Sequence, residues 1–252
     1  METSALFRKK PMREKNGVFY FSEPPKNIKP SRDEAPQDPR QWSYWRKANF
    51  DFLEKELAHL SKDSVLLDIG SGKSDFLALT EKFNLCAVDF YPYHGVSVVT
   101  NIGGELPFKD ISADIILLTN VLEHVEEPNV LLSECRRILK PGGILLGTVP
   151  FMIQIHQRPY DFYRYTEMNL VYLFEKHGFA RAEIIPVSNL YILLFNVCTS
   201  FFVRVIKESR FAFLYRILWK IVRIKFALFR KFFENRFSDP DSPLGYLFKA
   251  IR

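Results

Sequence analysis

At Val65-Leu66-Leu67-Asp68-Ile69-Gly70-Ser71-Gly72 an apolar run stops abruptly at two glycines, and a helix-compatible segment, 73–82, follows. An apolar run bounded by a turn signal reads as a strand buried on both faces. Such strands belong to parallel sheets covered by helices. Glycine at 70 and 72 permits a tight turn and lets a ligand approach the backbone. Strand, glycine turn and helix in this order form the crevice in which open α/β sheets bind nucleotide-type ligands. Ser74 and Asp75 stand where a dinucleotide fingerprint would place its third glycine. An acidic residue at a helix N-terminus repels phosphate, so a pyrophosphate cradle is disfavoured.

The alternation continues along the chain. Strands are expected over 85–88, 96–99, 114–119, 144–149 and 183–187, and helices over 41–60, 75–82, 130–139 and 167–177. Pro141-Gly142-Gly143 and His177-Gly178 stop the helices that precede them. Strands alternating with helices imply a parallel sheet covered on both faces. With 47% hydrophobic residues the chain can bury a sizeable core. Residues 1–40 carry Pro11, Pro24, Pro25, Pro30, Pro36 and Pro39 and read as an extended or flexible segment. The core is assigned to 41–187, an insertion to 188–240 and a last strand to 241–252. No secretory leader is expected, because the first residues are charged and no apolar stretch follows them. Cys86, Cys135 and Cys198 lack paired or ligand-type spacing, so free thiols in a reducing compartment are expected, and no metal.

Asp89 closes the second expected strand, about twenty residues after the glycine turn, where a carboxylate can accept the two hydroxyls of a ribose. Further on stand Leu106-Pro107-Phe108 and Asp114, then Leu122-Glu123-His124, then Leu139-Lys140-Pro141-Gly142-Gly143. In this order the five elements resemble those of class I S-adenosylmethionine-dependent methyltransferases, across 65–149. The resemblance extends less specifically to methyltransferase-domain proteins of bacterial envelope-glycan and lipid-linked sugar pathways. It implies an α/β, Rossmann-like fold: a seven-stranded, mostly parallel sheet with a reversed last strand, which 245–251 would supply. It implies S-adenosyl-L-methionine as cofactor. Asp68, Gly70 and Gly72 would hold its methionine moiety and Asp89 its ribose; Asn101 and Ile102 would lie near the adenine, and Asn120 near the sulfonium. Trp42 and Trp45, on the helix before the core, are either a lid over the cofactor or packing on the sheet edge.

The loop after the fifth core strand, 150–166, lies on the same sheet edge as the glycine turn. It is crowded with His156, Arg158, Tyr160, Asp161 and Arg164. Methyl transfer to oxygen requires removal of the acceptor's proton, and histidine suits that role because its ordinary pKa is near neutrality. His156 is the first candidate base and His124 the second, with Asp161 as a further catalytic candidate. Arg158, Tyr160 and Arg164 are candidate substrate contacts, and the two arginines either bind an acidic acceptor or pair with Asp161.

The net charge of +6 is concentrated in one place. Residues 200–236 hold ten Lys/Arg against two Glu, a net +8, so the rest of the chain is at −2. Eight of the 24 Phe lie in the same stretch. Arg216, Lys220, Arg223 and Arg230 recur on one helical face, while Ile217, Leu218, Ile221, Ile224, Leu228 and Phe232 cluster away from it. That pattern suits the headgroup boundary of an anionic bilayer; a helix packed on its own domain or at a dimer interface is the alternative. Nucleic acid would leave these apolar residues without a role. The apolar run 187–203 is short for a span and interrupted by polar groups.

The expected function is therefore O-methylation of a lipid-linked or envelope-associated glycan or lipid, by an enzyme held peripherally on the cytoplasmic face of a membrane. The alternatives are methylation of a small metabolite or quinone-type lipid, and a non-catalytic, membrane-bound cofactor-binding protein. Oligomeric state is not readable from the sequence.

Overall fold

The computed structural model describes residues 2–25, 42–73, 76–233 and 239–252, without the side chains of 227 and 230–233. Ser74, Asp75 and most of the proline-rich segment lie outside these residues, as do the side chains of Arg230 and Phe232.

Nine strands form one sheet: β1 (Arg13–Lys15), β2 (Val18–Tyr20), β3 (Val65–Ile69), β4 (Asn84–Asp89), β5 (Val98–Val99), β6 (Ala113–Thr119), β7 (Leu139–Pro150), β8 (Arg181–Ser188) and β9 (Pro243–Ile251). Their order is β1-β2-β5-β4-β3-β6-β7-β9-β8. The helices are α1 (Tyr44–Leu57), α2 (Leu77–Thr80), α3 (Pro128–Ile138), α4 (Glu167–Lys176), α5 (Leu190–Glu208) and α6 (Ala212–Phe233).

The seven-stranded expectation is corrected to nine. The seven strands from β5 to β8 form the expected sheet, and β9 runs antiparallel to both β7 and β8. The two additional strands come from the segment read as extended. Arg13–Lys15 and Val18–Tyr20 pair antiparallel across Asn16-Gly17, both at positive φ (53° and 76°). Two such central residues make the type I′ turn that matches strand twist. β2 then adds to β5 in parallel, Phe19 opposite Val98 and Tyr20 opposite Val99.

β3 is buried along its whole length and lies between β4 and β6. Val65, Leu67 and Ile69 belong to the cluster holding Leu131, Leu132 and Cys135 of α3 and Leu170 of α4. Leu66 belongs to the opposite cluster, with Phe52, Leu53 and Leu57 of α1. β6 divides in the same way, Ile116 and Leu118 against Ile115 and Leu117. This is the two-sided burial that an apolar run without alternation requires. The helix starts are set locally. Ser43, Thr166 and Asn189 accept the backbone N–H of Arg46, Asn169 and Ile192, capping α1, α4 and α5. Pro128 opens α3, where its missing N–H costs nothing.

The amino edge of the sheet is fastened by charge. Asp114 accepts the Val65 N–H at 2.8 Å and Lys140 Nζ at 2.9 Å. Arg137 donates to Glu134 and Asp110, and Glu134 accepts the Leu106 N–H. The candidate site residues Gly70, Gly72, Asp89 and Asn120 lie at the opposite edge.

The insertion forms a helical hairpin, α5 and α6. Phe195 and Phe202 stack on Trp219 at centroid distances of 5.8 and 5.0 Å, and Tyr191 and Phe195 meet Phe226 at 4.9 and 5.1 Å. Outward, α5 exposes Leu190, Leu194, Val197 and Phe201, while α6 exposes Ile217, Ile221, Ile224 and Leu228. Each set recurs at i, i+4, i+7 and i+11, one face of a helix. α5 is long and apolar enough to cross a membrane by length and composition, with 11% of it buried.

Gly147 sits where β7 lies between β6 and β9; a methyl group there would meet the Phe248 ring and the Leu118 carbonyl. Gly147→Ala should destabilise the fold by about 1–3 kcal/mol through overpacking. Urea denaturation of the full chain measures this, and an unchanged midpoint would contradict the packing described.

Candidate functional site

The carboxyl ends of β3, β4, β6 and β7 meet at one edge. After β3 the chain turns on Gly70 (φ 75°), a conformation that disfavours a side chain. Val121 also closes the space that a Cβ of Gly70 would need. Gly70 and Ser71 donate their N–H groups to the Val88 carbonyl at 2.8 and 3.1 Å, which folds the turn against β4. Gly72 is also at positive φ (55°), but among the described residues no atom lies within 4 Å of the position its Cβ would take. Here the backbone is open to a ligand.

Asp89 ends β4 and is 2% exposed. Its Oδ2 accepts the Gly72 N–H at 2.9 Å and its Oδ1 the Tyr91 N–H at 3.0 Å. A carboxylate has about four acceptor sites, so capacity remains for a diol. Burial pushes its pKa up to about 6, against the opposing pull of the Gly72, Tyr91 and Phe90 amides. Asp68 is buried within β3, opposite Ala87 and Leu117.

Asn120 follows β6 at φ 53°, its N–H held by the Thr148 carbonyl at 2.9 Å. Its Oδ1 accepts Trp45 Nε1 at 2.9 Å, which brings the start of α1 to this edge. Trp45 also closes over Gly245 of β9. The tryptophan therefore packs on the sheet edge beside Asn120; Trp42 instead meets the tilted ring of Phe50 and lies under the Arg46 guanidinium. Asn101 turns its side chain onto its own loop, accepting the Gly103 N–H at 3.0 Å, and Ile102 is buried in the core.

A fit for S-adenosylmethionine can be tested on these atoms. The Ser71 and Thr119 hydroxyls are buried at the ends of β3 and β6 without hydrogen-bond partners among the described residues. Buried polar groups ordinarily have partners. With the open face of Gly72 and the remaining capacity of Asp89, they suit a ligand bearing hydroxyl, amine and carboxylate groups.

The 151–165 loop is clamped over the turn after β6. Phe162 and Tyr163 donate their N–H groups to the Glu123 carbonyl, at 2.8 and 3.3 Å, and Tyr165 donates its hydroxyl to the Leu122 carbonyl at 3.0 Å. The clamp brings His124 and His156 together, with ring centroids 4.8 Å apart. The two candidate bases are parts of one cluster, centred on Glu123. That residue is fully buried, and neither carboxylate oxygen has a hydrogen-bond partner among the described residues. Burial raises its pKa to about 8, and burial lowers that of His124.

The alternatives for the arginines separate. Arg164 pairs with Asp161 at 2.5 and 2.8 Å, and Asp161 also accepts the His156 N–H at 2.8 Å. The guanidinium holds the Asp161 carboxyl far below the usual carboxylate range. This pair, with an Asp161 side chain only 1% exposed, anchors the loop. Arg158 is exposed and makes no ion pair among the described residues, and Tyr160 offers its carbonyl to His124 while its ring is exposed. Glu123 was not singled out by the sequence, since a lone Glu before a His carries no spacing signal. Trp45 was noticed, but its partner across 75 positions was not readable.

Residues 67–147 match the family model described as a methyltransferase domain. A probable S-adenosylmethionine-dependent methyltransferase of Mycolicibacterium smegmatis is 35% identical over 89 residues, 33% of this chain and 35% of that protein. The chain spans less than half the length of the curated relatives it matches. Among solved structures, a SAM-dependent methyltransferase from Archaeoglobus fulgidus superimposes with a TM-score of 0.52 at 16% identity, covering 82% of this chain and 94% of that one. The [4+2]-cyclase SpnF superimposes with 0.53 at 16%, covering 86% and 85%. A fold shared with a cyclase does not by itself decide a reaction.

If Asp89 holds a ribose diol, its ionised form is the one that accepts both hydroxyls. Acidification through about pH 6 should therefore weaken S-adenosylmethionine binding, by up to about tenfold per pH unit. Isothermal titration between pH 5 and 8 should show this loss, and Asp89→Asn should bind weakly with little pH dependence. Equal affinity of the wild type at both ends of the range would remove Asp89 from the site. The sheet order, the glycine turn and the matched segment together give the conclusion: the chain has the class I methyltransferase fold, and its residues 67–147 are similar to the methyltransferase domain.

Proposed function

We propose that this chain is an S-adenosylmethionine-dependent methyltransferase that methylates an oxygen of a lipid-linked or envelope-associated glycan or lipid at the cytoplasmic face of a membrane. Asp68, Gly70–Gly72, Asp89 and Asn120 would hold the cofactor at the carboxyl edge, and Asn101 and Ile102 would lie near its adenine. When bound, it supplies an electrophilic methyl group on a sulfonium. The protein holds the acceptor oxygen in line with that group, and such positioning accounts for much of the rate. The acceptor hydroxyl loses its proton at the cluster of Glu123, His124 and His156. Arg158 and Tyr160, both exposed on the same loop, face the incoming acceptor.

The observation that carries the membrane part is the position of the hairpin. Ser188 of β8 pairs with Pro243 of β9, so the chain leaves the sheet and returns to it at neighbouring points. A single crossing of a bilayer is incompatible with that return. Arg216, Lys220, Arg223 and Lys225 are exposed on α6, too many charges for a second spanning helix. The exposed apolar stripes beside these cations suit a hairpin lying in the headgroup boundary. Gln154 of the acceptor loop hydrogen-bonds Ser200 of α5, which joins this hairpin to the loop over the cluster. An acceptor embedded in the membrane surface would thus reach the cluster by the shortest path.

Flotation with anionic vesicles at low salt should carry the protein up the gradient, and high salt or neutral vesicles should release it. Each cation near such a surface contributes about 1 kcal/mol, so the triple substitution Arg216→Glu, Lys220→Glu, Arg223→Glu should weaken binding by about a hundredfold or more. With methyl-labelled S-adenosylmethionine and a membrane extract, label should enter the lipid or glycan fraction. Absence of flotation under every condition, or label confined to water-soluble metabolites, would contradict this reading.

A further inference from the structure

We propose that Glu123, His124 and His156 form a binding site for a divalent transition-metal ion. Three donor atoms, one from each residue, lie within 4.8 Å of one another. His124 Nε2 is 3.7 Å and His156 Nε2 3.9 Å from Glu123 Oε1. These separations are too long for hydrogen bonds. An ion with bonds of about 2.0–2.2 Å in tetrahedral geometry needs its ligands about 3.4 Å apart. Small rotations of the two imidazoles would close that shell.

The protonation pattern agrees. His124 Nδ1 lies 2.6 Å from the Tyr160 carbonyl and His156 Nδ1 3.1 Å from the Gln154 carbonyl. A carbonyl only accepts, so in each ring the proton is assigned to Nδ1. Each Nε2 then presents a lone pair towards Glu123. Carbonyls that orient ligating imidazoles in this way are the usual outer support of a metal site. The Asp161–Arg164 pair fixes the backbone of His156 from behind. Independently of this spacing, both oxygens of the fully buried Glu123 and the Nε2 of His124 lack a hydrogen-bond partner among the described residues. A buried carboxylate with nothing to accept from requires an explanation, and a cation supplies it. The side chain of His156 is one-third exposed, which leaves a route of entry.

Two imidazoles and one carboxylate favour Zn²⁺, Fe²⁺, Co²⁺ or Ni²⁺ over Mg²⁺ or Ca²⁺, which take oxygen ligands. The role of such an ion rests on the methyl-transfer reading, although the site itself does not. An acceptor hydroxyl bound at an open coordination position has its pKa lowered. Its proton passes to water, the oxygen forms a bond to the methyl carbon, and the carbon–sulfur bond breaks to leave a neutral thioether.

The test uses the full chain, free of any affinity tag and stripped with a chelator. Titration with Co²⁺ should develop visible d–d absorption that saturates at one ion per chain, and Zn²⁺ should abolish it. Glu123→Gln and His156→Asn should each weaken Co²⁺ binding by about tenfold or more. Should Glu123→Gln fail to fold, His156→Asn, on a partly exposed loop, retains the test. Absence of absorption and of heat on adding Zn²⁺, or unchanged affinity in a folded variant, would overturn the proposal. S-adenosylmethionine titrated into the same samples separates the two readings: metal binding without cofactor binding would refute the methyl donor and leave the ion site standing.

Discussion

The hydrogen bond from the Gly72 amide to the Asp89 carboxylate joins the end of β4 to the turn that follows β3. Both partners are set by the sheet. β3 and β4 pair in register from Val65–Asn84 to Ile69–Val88, so the two strands finish side by side. Gly70 and Ser71 then bond to Val88, leaving Gly72 to meet Asp89. The carboxylate is buried at a cost that raises its proton affinity, yet it retains unused acceptor capacity. A group held at such a cost is suited to a ligand that completes its hydrogen bonding.

The two edges of the sheet divide stability from chemistry. At the amino edge Asp114, Lys140, Glu134 and Arg137 bind one another and the backbone, and they join β3, β6, α3 and β7. At the carboxyl edge buried polar atoms are left without hydrogen-bond partners among the described residues: the Ser71 and Thr119 hydroxyls, the Glu123 carboxylate and His124 Nε2. Open α/β sheets bind ligands at this second edge. Its loop is nevertheless not loose. The Asp161–Arg164 pair and the bonds to the Glu123 and Leu122 carbonyls hold the two imidazoles in place. The α5–α6 hairpin meets that loop through a hydrogen bond between Gln154 and Ser200.

Much of this was legible in the sequence because it is encoded locally. The strand of 65–69, the glycine turn, the reversed last strand and the insertion each have a signal within a few residues. The hairpin of β1 and β2 also had one, Asn16-Gly17 between short apolar stretches, but the prolines around it drew the reading towards extended chain. What was not legible depends on contacts across long separations. Trp45 meets Asn120 only when α1 packs at the end of β6, and His124 meets His156 only when the loops after β6 and β7 come together. Asp161, expected as a catalytic group, and Arg164, expected as a substrate contact, are three residues apart and neutralise each other, an outcome decided by burial rather than by spacing. Glu123 appeared as one letter of a motif; its lack of a partner is a property of the folded site.

The proposed cofactor site depends on Asp68 and Asp89, at the ends of adjacent strands β3 and β4, which would hold the methionine and ribose parts of S-adenosylmethionine. Calorimetric titration of S-adenosylmethionine into the folded double variant Asp68→Asn, Asp89→Asn tests it most directly. A loss of affinity of about a hundredfold or more, the order expected when two hydrogen bonds to charged groups are removed, is the predicted result. Affinity equal to that of the unaltered chain would contradict it.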